Sequence, residues 1–364
     1  PIVTAIAGIT ETDHRRPPRR RPGPADDLPV DAATVFRTLV EREAADGAEA
    51  LVLAALGAGT DPDELRPWFV GAASDHHLSF GHEAIYTQKA FSLIDHLGPA
   101  IAEDVLPGLA LSMVVGTREE QLPYFRAAAA RVRSADLWAL AAAPDRRRTG
   151  WHDVGTVLRR AILDGPEPPV DLAVRAVLDG AGVEGLLDTV VLAASERLLR
   201  HDPTEDAAPT DFGWLDITHV LTYADAARWA WRAEPGPDAA RLALWTVLMA
   251  HDSGRAERRR GDVVVTPDLE PRPGDLRAAV EAGAADDAVA HALALPAEEA
   301  GRQLERAAQA DLAGSWIVAA HLVKTARAAR REAGIVGSNL PLAATARFCA
   351  SPRVERFVAA TTTE

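Results

Sequence analysis

Three histidines stand near the middle of three apolar runs: His82 in GHEAIYTQKA, His219 in THVLTYADAA and His321 in AHLVKTARAA. A tyrosine follows the first two by four residues, Tyr86 and Tyr223, and Lys324 follows the third by three. If the runs are helices, each follower lies on its histidine's face. Helical bundles build metal sites by projecting one or two ligands inward from several helices. Imidazole donors favour iron, copper, nickel or zinc over magnesium or calcium.

The stretch from Asp75 to His96 holds four of the eleven histidines, and Lys89 within it is one of only two lysines, the other being Lys324. His76 and His77 precede the apolar run, where a turn brings one of them toward a metal held by His82. Asp75 is a candidate helix cap or orienting acceptor for a histidine, and Asp216 has the same two roles open to it beside His219. His96 is fourteen residues past His82, about 21 Å along a helix, so one ion cannot take both. Lys89, two turns from His82, reads as a buried ion pair, a substrate contact or a snorkelling surface lysine. His251, in AHDSG, fits a helix C-terminus, where a cation complements the dipole, better than a ligand position. His14, His152, His201 and His291 read as solvated or structural. Each site histidine taken alone reads as an ordinary core residue; the three together favour a metal.

The elements that position these residues are helices. Nothing alternates with period two over a useful length, so the expectation is an all-α, multi-helix bundle with a histidine-lined interior site. Residues 1–31 carry HRRPPRRRPGPADD and read as a flexible proline- and arginine-rich arm. Residues 32–364 read as one helical domain, with a hinge near 144–150 and a long loop at 254–275 in which VVVT is the only strand-like piece. Thr117 and Glu120 are spaced as a capping box. Trp214, Trp229, Trp231, Trp245 and Trp316 flank the site helices as candidates for an aromatic pocket.

Composition narrows the functions. A formal charge of -14 excludes general affinity for nucleic acid. The single cysteine, Cys349, excludes internal disulfides, thiolate zinc sites and an iron–sulfur cluster carried by this chain alone. No apolar run is long enough for a membrane span and the first residues have no secretion-signal pattern, so the chain reads as soluble and cytoplasmic. Phosphate loops of the GxGxxG or GxxxxGK[ST] types are absent. Of 39 basic residues only two are lysine. Those two are candidates for positions where arginine cannot serve, because lysine can become a neutral amine.

The segments DHHLSFGHEAIY, DITHVLTYADA and HLVKT, spanning about residues 70 to 335, resemble the questin oxidase-like proteins and related helical domains associated with Rieske modules. The resemblance implies a non-heme Fe(II) oxygenase that oxidises or cleaves a ring of a polyketide-derived quinone or similar aromatic, with dioxygen as co-substrate. By motif, the implied ligands are His77 or His76, His82, His219, His321 and Lys324, the lysine carboxylated as in some members. Tyr86 or Tyr223 would give a proton or hydrogen bond to the substrate. This chain lacks a Rieske Cys/His set, which implies an electron-donor protein, a reduced cofactor or a substrate that supplies its own electrons. The alternatives are a zinc hydrolase on the same histidines and a helical binding protein whose histidines are core residues.

Overall fold

The computed structural model describes residues 19–145, 152–201, 213–260, 270–310 and 316–351. Among these the chain is all-α, with no strand and one isolated antiparallel bridge between Leu78 and Arg118. His14, the VVVT run and the RRRTG part of the expected hinge lie outside them. The loop expected from 254 contains, in its described part, the short helix Arg255–Arg260.

The architecture is centred on the helix Trp214–Ala233. It packs on Gly182–Arg200, Pro237–Asp252, His82–Leu97 and Trp316–Val336. Ala224, Ala226, Ala227 and Ala230 are all buried along it. Methyl side chains let neighbouring helices approach closely on several sides, which larger residues would prevent. Bulk is supplied elsewhere by an aromatic chain. Phe36 lies 5.0 Å from Phe69, Phe69 is 6.0 Å from Phe91, and Phe91 is 6.1 Å from Trp229, tying the first helices to the central one.

The Asp75–His96 stretch is two helices joined by a turn. Pro62–Asp75 ends before His76, and His82–Leu97 begins after three consecutive residues with positive φ: Ser79 (43°), Phe80 (57°) and Gly81 (85°). Left-handed backbone at two side-chain-bearing residues in a row is costly and persists only where surroundings enforce it. Here Ser79 N–H donates to Thr117 O at 2.7 Å, Glu119 N–H to His77 O at 3.0 Å, and Thr117 N–H to Ser79 Oγ at 3.0 Å. Gly81 is required on two counts, its φ and its neighbour. A Cβ there would lie 2.4 Å from the Tyr223 ring.

Two of three local expectations change. Thr117 and Glu120 form no capping box; Thr117 Oγ1 donates to Glu119 Oε1 at 2.5 Å, and Glu120 is turned inward toward His76 and the His77 amide. Asp75 neither caps a helix nor orients a histidine. It ends its own helix and pairs with Arg37 and Arg241, the latter at 2.6 Å. Asp216 accepts from the Gly213 amide at 2.9 Å, holding the start of its helix, and pairs with Arg255 at 3.0 Å.

Candidate metal centre

His82, His219 and His321 come together from three helices, with one ring nitrogen from each lying within 4.8 Å of the others. His219 is the hub. Its ring is 4.4 Å from that of His82 and 4.8 Å from that of His321, both nearly edge-on. The Nε2 atoms of His219 and His321 are 2.9 Å apart.

A backbone carbonyl fixes one of the tautomers. His321 Nδ1 is 2.7 Å from Ile317 O. A carbonyl only accepts, so Nδ1 carries the hydrogen and Nε2 turns its lone pair toward His219. The Ser79 backbone in the strained turn acts on the His82 ring in the opposite sense to burial. Holding one ring nitrogen through an outer hydrogen bond while the other faces the ion is how metal-binding histidines are oriented. Two ligands bound at right angles and about 2.1 Å from one ion would be about 3 Å apart, so the His219–His321 separation fits a shared ion.

Burial keeps these rings neutral. It pushes His82 down to about 4 and His321 to about 3, and holds His219 well below the usual histidine range, with Lys324 adding to the effect on all three. Neutral imidazole is the form that coordinates a metal. Lys324 itself is half-buried and its amine is pushed down to about 7 by burial and by Lys89.

The other expected site residues divide. His77 is fully buried, yet neither ring nitrogen has a hydrogen-bond partner. It lies parallel to Tyr223 at 5.8 Å and to Trp245 at 6.1 Å, and edge-on to Phe125 at 5.6 Å, outside the three-nitrogen group. His76 is drawn the other way. Its two ring nitrogens lie 2.7 Å from Glu120 Oε1 and 2.6 Å from Glu41 Oε2, so both are engaged by carboxylates. Tyr86 stacks on His82 at 5.4 Å and is 46% exposed, marking the side on which the cluster meets solvent. Tyr223 instead is buried between the Gly81 turn and His77, and burial raises its phenol well above the usual range. Of the tryptophans, Trp245 donates to Ser74 O at 2.8 Å, Trp214 packs on His201 and Phe348, and Trp229 packs on Phe91. Trp231 is partly buried against the core, and the Trp316 side chain lies outside the described part of the molecule.

Three further histidines among the described residues lie outside the group. His251 reaches Gly165 O at 2.9 Å and is pushed down to about 4 by burial, so it ties a loop as a neutral ring and does not act as a cation on its helix end. His291 holds Arg272 O at 2.7 Å, and His96 is exposed in the last turn of its helix.

One acid was not anticipated. Glu83 is 3% exposed, accepts from Ser112 Oγ at 3.4 Å and is pushed up to about 7 by burial. Its charge acts on both Tyr86 and Tyr223. A carboxylate beside His82 in an apolar run was the available signal.

The cluster is a three-imidazole site capable of holding a transition metal, with a proton-bearing acid, two phenols and an amine nearby. No protein-family model, curated protein or solved structure matches this chain. No helix among the described residues is long and apolar enough to cross a membrane.

Proposed function

We propose that His82, His219 and His321 hold a transition metal, and that the protein is a metal-dependent oxidoreductase acting on an aromatic, quinonoid small molecule with dioxygen. The observation that carries the metal reading is the convergence of three neutral ring nitrogens within 4.8 Å, one of the rings held by a backbone carbonyl. Fe(II) is the ion favoured by the resemblance of the HHLSFGHEAIY, ITHVLTY and HLVKT segments to the questin oxidase-like proteins. When bound, such an ion supplies Lewis acidity and redox chemistry toward dioxygen and substrate oxygens.

The chain's own residues supply the rest. Tyr86, stacked on His82 at the solvent side, gives an aromatic substrate a flat surface and a phenol to bond. Glu83, its pKa raised by burial, is a titratable acid whose charge acts on both phenols. His77 and Tyr223 brace the turn that presents His82. Lys324 as a carbamate would add an anionic donor; Lys324→Arg cannot be carboxylated, and unchanged metal content in that variant would remove this role.

A zinc-dependent hydrolase is the second reading, because three imidazoles with no thiolate or carboxylate donor are equally a catalytic zinc set. Protein purified without chelator and analysed for metals decides between them. About one iron per chain and oxygen-dependent turnover of hydroxylated anthraquinones are expected. Stoichiometric zinc with oxygen-independent hydrolysis moves the assignment to the second reading. Absence of any stoichiometric metal, even after reconstitution, overturns both.

A further inference from the structure

The only two lysines in the chain, 235 positions apart in sequence, are brought together beside the histidine cluster. Lys324 is one helical turn past His321, and its charge acts on His82, His219 and His321 alike. Among the described residues its ammonium has no hydrogen bond and no ion-pair partner. Lys89 is one turn past Tyr86, on the side where the cluster meets solvent. Arg327 and Arg331 follow Lys324 at helical spacing, and both are close enough to Lys89 to act on its charge. A track of two lysines and two arginines therefore runs beside the histidines.

Compensation along this track is incomplete. Asp225 is its buried carboxylate, 4% exposed. Both of its oxygens are engaged by Arg331, through Nε at 2.8 Å and through NH2, and Gln88 Nε2 donates to it at 2.8 Å. Lys89 stays at 3.9 Å from Asp225 and donates to Gln88 Oε1 at 2.8 Å. Glu332 and Glu305 also act on Arg331, whereas no carboxylate among the described residues pairs with Lys324, in a chain whose formal charge is -14. A partly desolvated ammonium with no anion is unfavourable, and a second cation nearby makes it more so. A site that also holds a metal cation would have this imbalance increased. An anionic substrate removes it.

We infer that the histidine cluster takes an aromatic anion, a substrate bearing a carboxylate or phenolate that Lys324, as a free ammonium in place of the carbamate, and Lys89 hold while its ring lies against Tyr86. This substrate class rests on the reading of the cluster as the reacting centre. The positive track also steers such a molecule inward against the repulsion of an acidic protein surface.

The test compares anthraquinone-2-carboxylate with anthraquinone-2-carboxamide, isosteres that differ in charge, by titration calorimetry on the full chain. Wild-type protein should bind the carboxylate at least about tenfold more tightly, as a charge-assisted contact requires, and the preference should shrink with added salt. Lys324→Gln with Lys89→Gln should erase the preference, while Lys324→Arg with Lys89→Arg should restore most of it. Circular dichroism of each variant reports folding separately. Equal affinity for the two probes, or a preference that survives in the double glutamine variant, overturns the inference. The titration is run on both chelator-treated and metal-loaded protein. A lysine-dependent preference in protein that takes up no metal sustains the anion site and defeats the metal reading. A preference that needs the metal and ignores both lysines defeats the anion site and leaves the metal reading standing.

Discussion

Two polar clusters flank the central helix Trp214–Ala233, and they satisfy burial in opposite ways. Arg228, 1% exposed, meets Glu184, Asp188 at 3.0 Å and Glu332 at 3.0 Å, so the buried cation is surrounded by carboxylates. On the same helix, His219 meets His82 and His321, with Lys324 beside them and no carboxylate in the group. The first cluster pairs its cation with carboxylates and ties helices together. The second keeps its donors neutral and lets its amine go unpaired, a costly arrangement for stability and a useful one for binding. Burial alone therefore does not mark a site; lack of internal compensation does.

The largest expected effect that tests this contrast is Arg228→Met. It strands the facing carboxylates and should lower unfolding free energy by about 3–5 kcal/mol, measured by urea denaturation. A loss below about 1 kcal/mol would mean that the cluster is not the structural one. Gly81→Ala comes next, at about 2–4 kcal/mol, because a side chain there meets both an unfavourable φ and the Tyr223 ring. Wild-type stability in the same assay would break the account of the turn.

His219→Ala should behave in the reverse manner to Arg228→Met. Metal in modest excess should raise the wild-type melting temperature through linkage, and the variant should lose that rise while its metal-free melting temperature stays close to wild type. A retained rise would remove His219 as a ligand.

Acid gives a graded comparison. His77, His82, His251 and His321 have folded pKa values pushed below the unfolded value, so the unfolded chain binds more protons as pH falls below about 6.5. Metal-free protein should lose stability from about pH 6.5 down toward 4, each ring contributing about 1.4 kcal/mol for every pH unit that separates its folded and unfolded pKa values. Urea midpoints measured across that range check it, and a flat profile would mean that the rings are not held neutral by the fold. His76 has the opposite sign. Burial lowers its pKa, but Glu120 and Glu41 outweigh that and raise it. Its contribution is fully present below the unfolded value and is lost as pH rises through the folded one. Since Glu120 is fully buried, although Glu41 is 58% exposed, His76→Gln should cost about 1–3 kcal/mol at pH 6 and less at pH 8. A larger cost at pH 8 would reverse the assignment.

Much of the site was legible because its residues stood out from their background. Histidine in an alanine-rich helix, and two lysines among 39 basic residues, mark positions that ordinary surface chemistry does not explain. The tyrosine rule, four residues on and same face, held for Tyr86, which stacks on His82. Tyr223 is likewise one turn past His219 on its helix, but it serves the Gly81 turn and His77, because a helix face can meet two different neighbours one turn apart.

Helical periodicity, the apolar setting of His82, His219 and His321, and the rarity of lysine were settled by the sequence itself, since they depend on residue type and local spacing. Which of His76 and His77 faced inward depended on a left-handed turn held by residues forty positions later. Glu120 drew His76 away, and the packing of Tyr223 and Trp245 enclosed His77. The pairing of Lys324 with Lys89, and their shortage of carboxylates, exists only where the helices cross. Local spacing sets what a helix presents; tertiary packing sets what it is presented to.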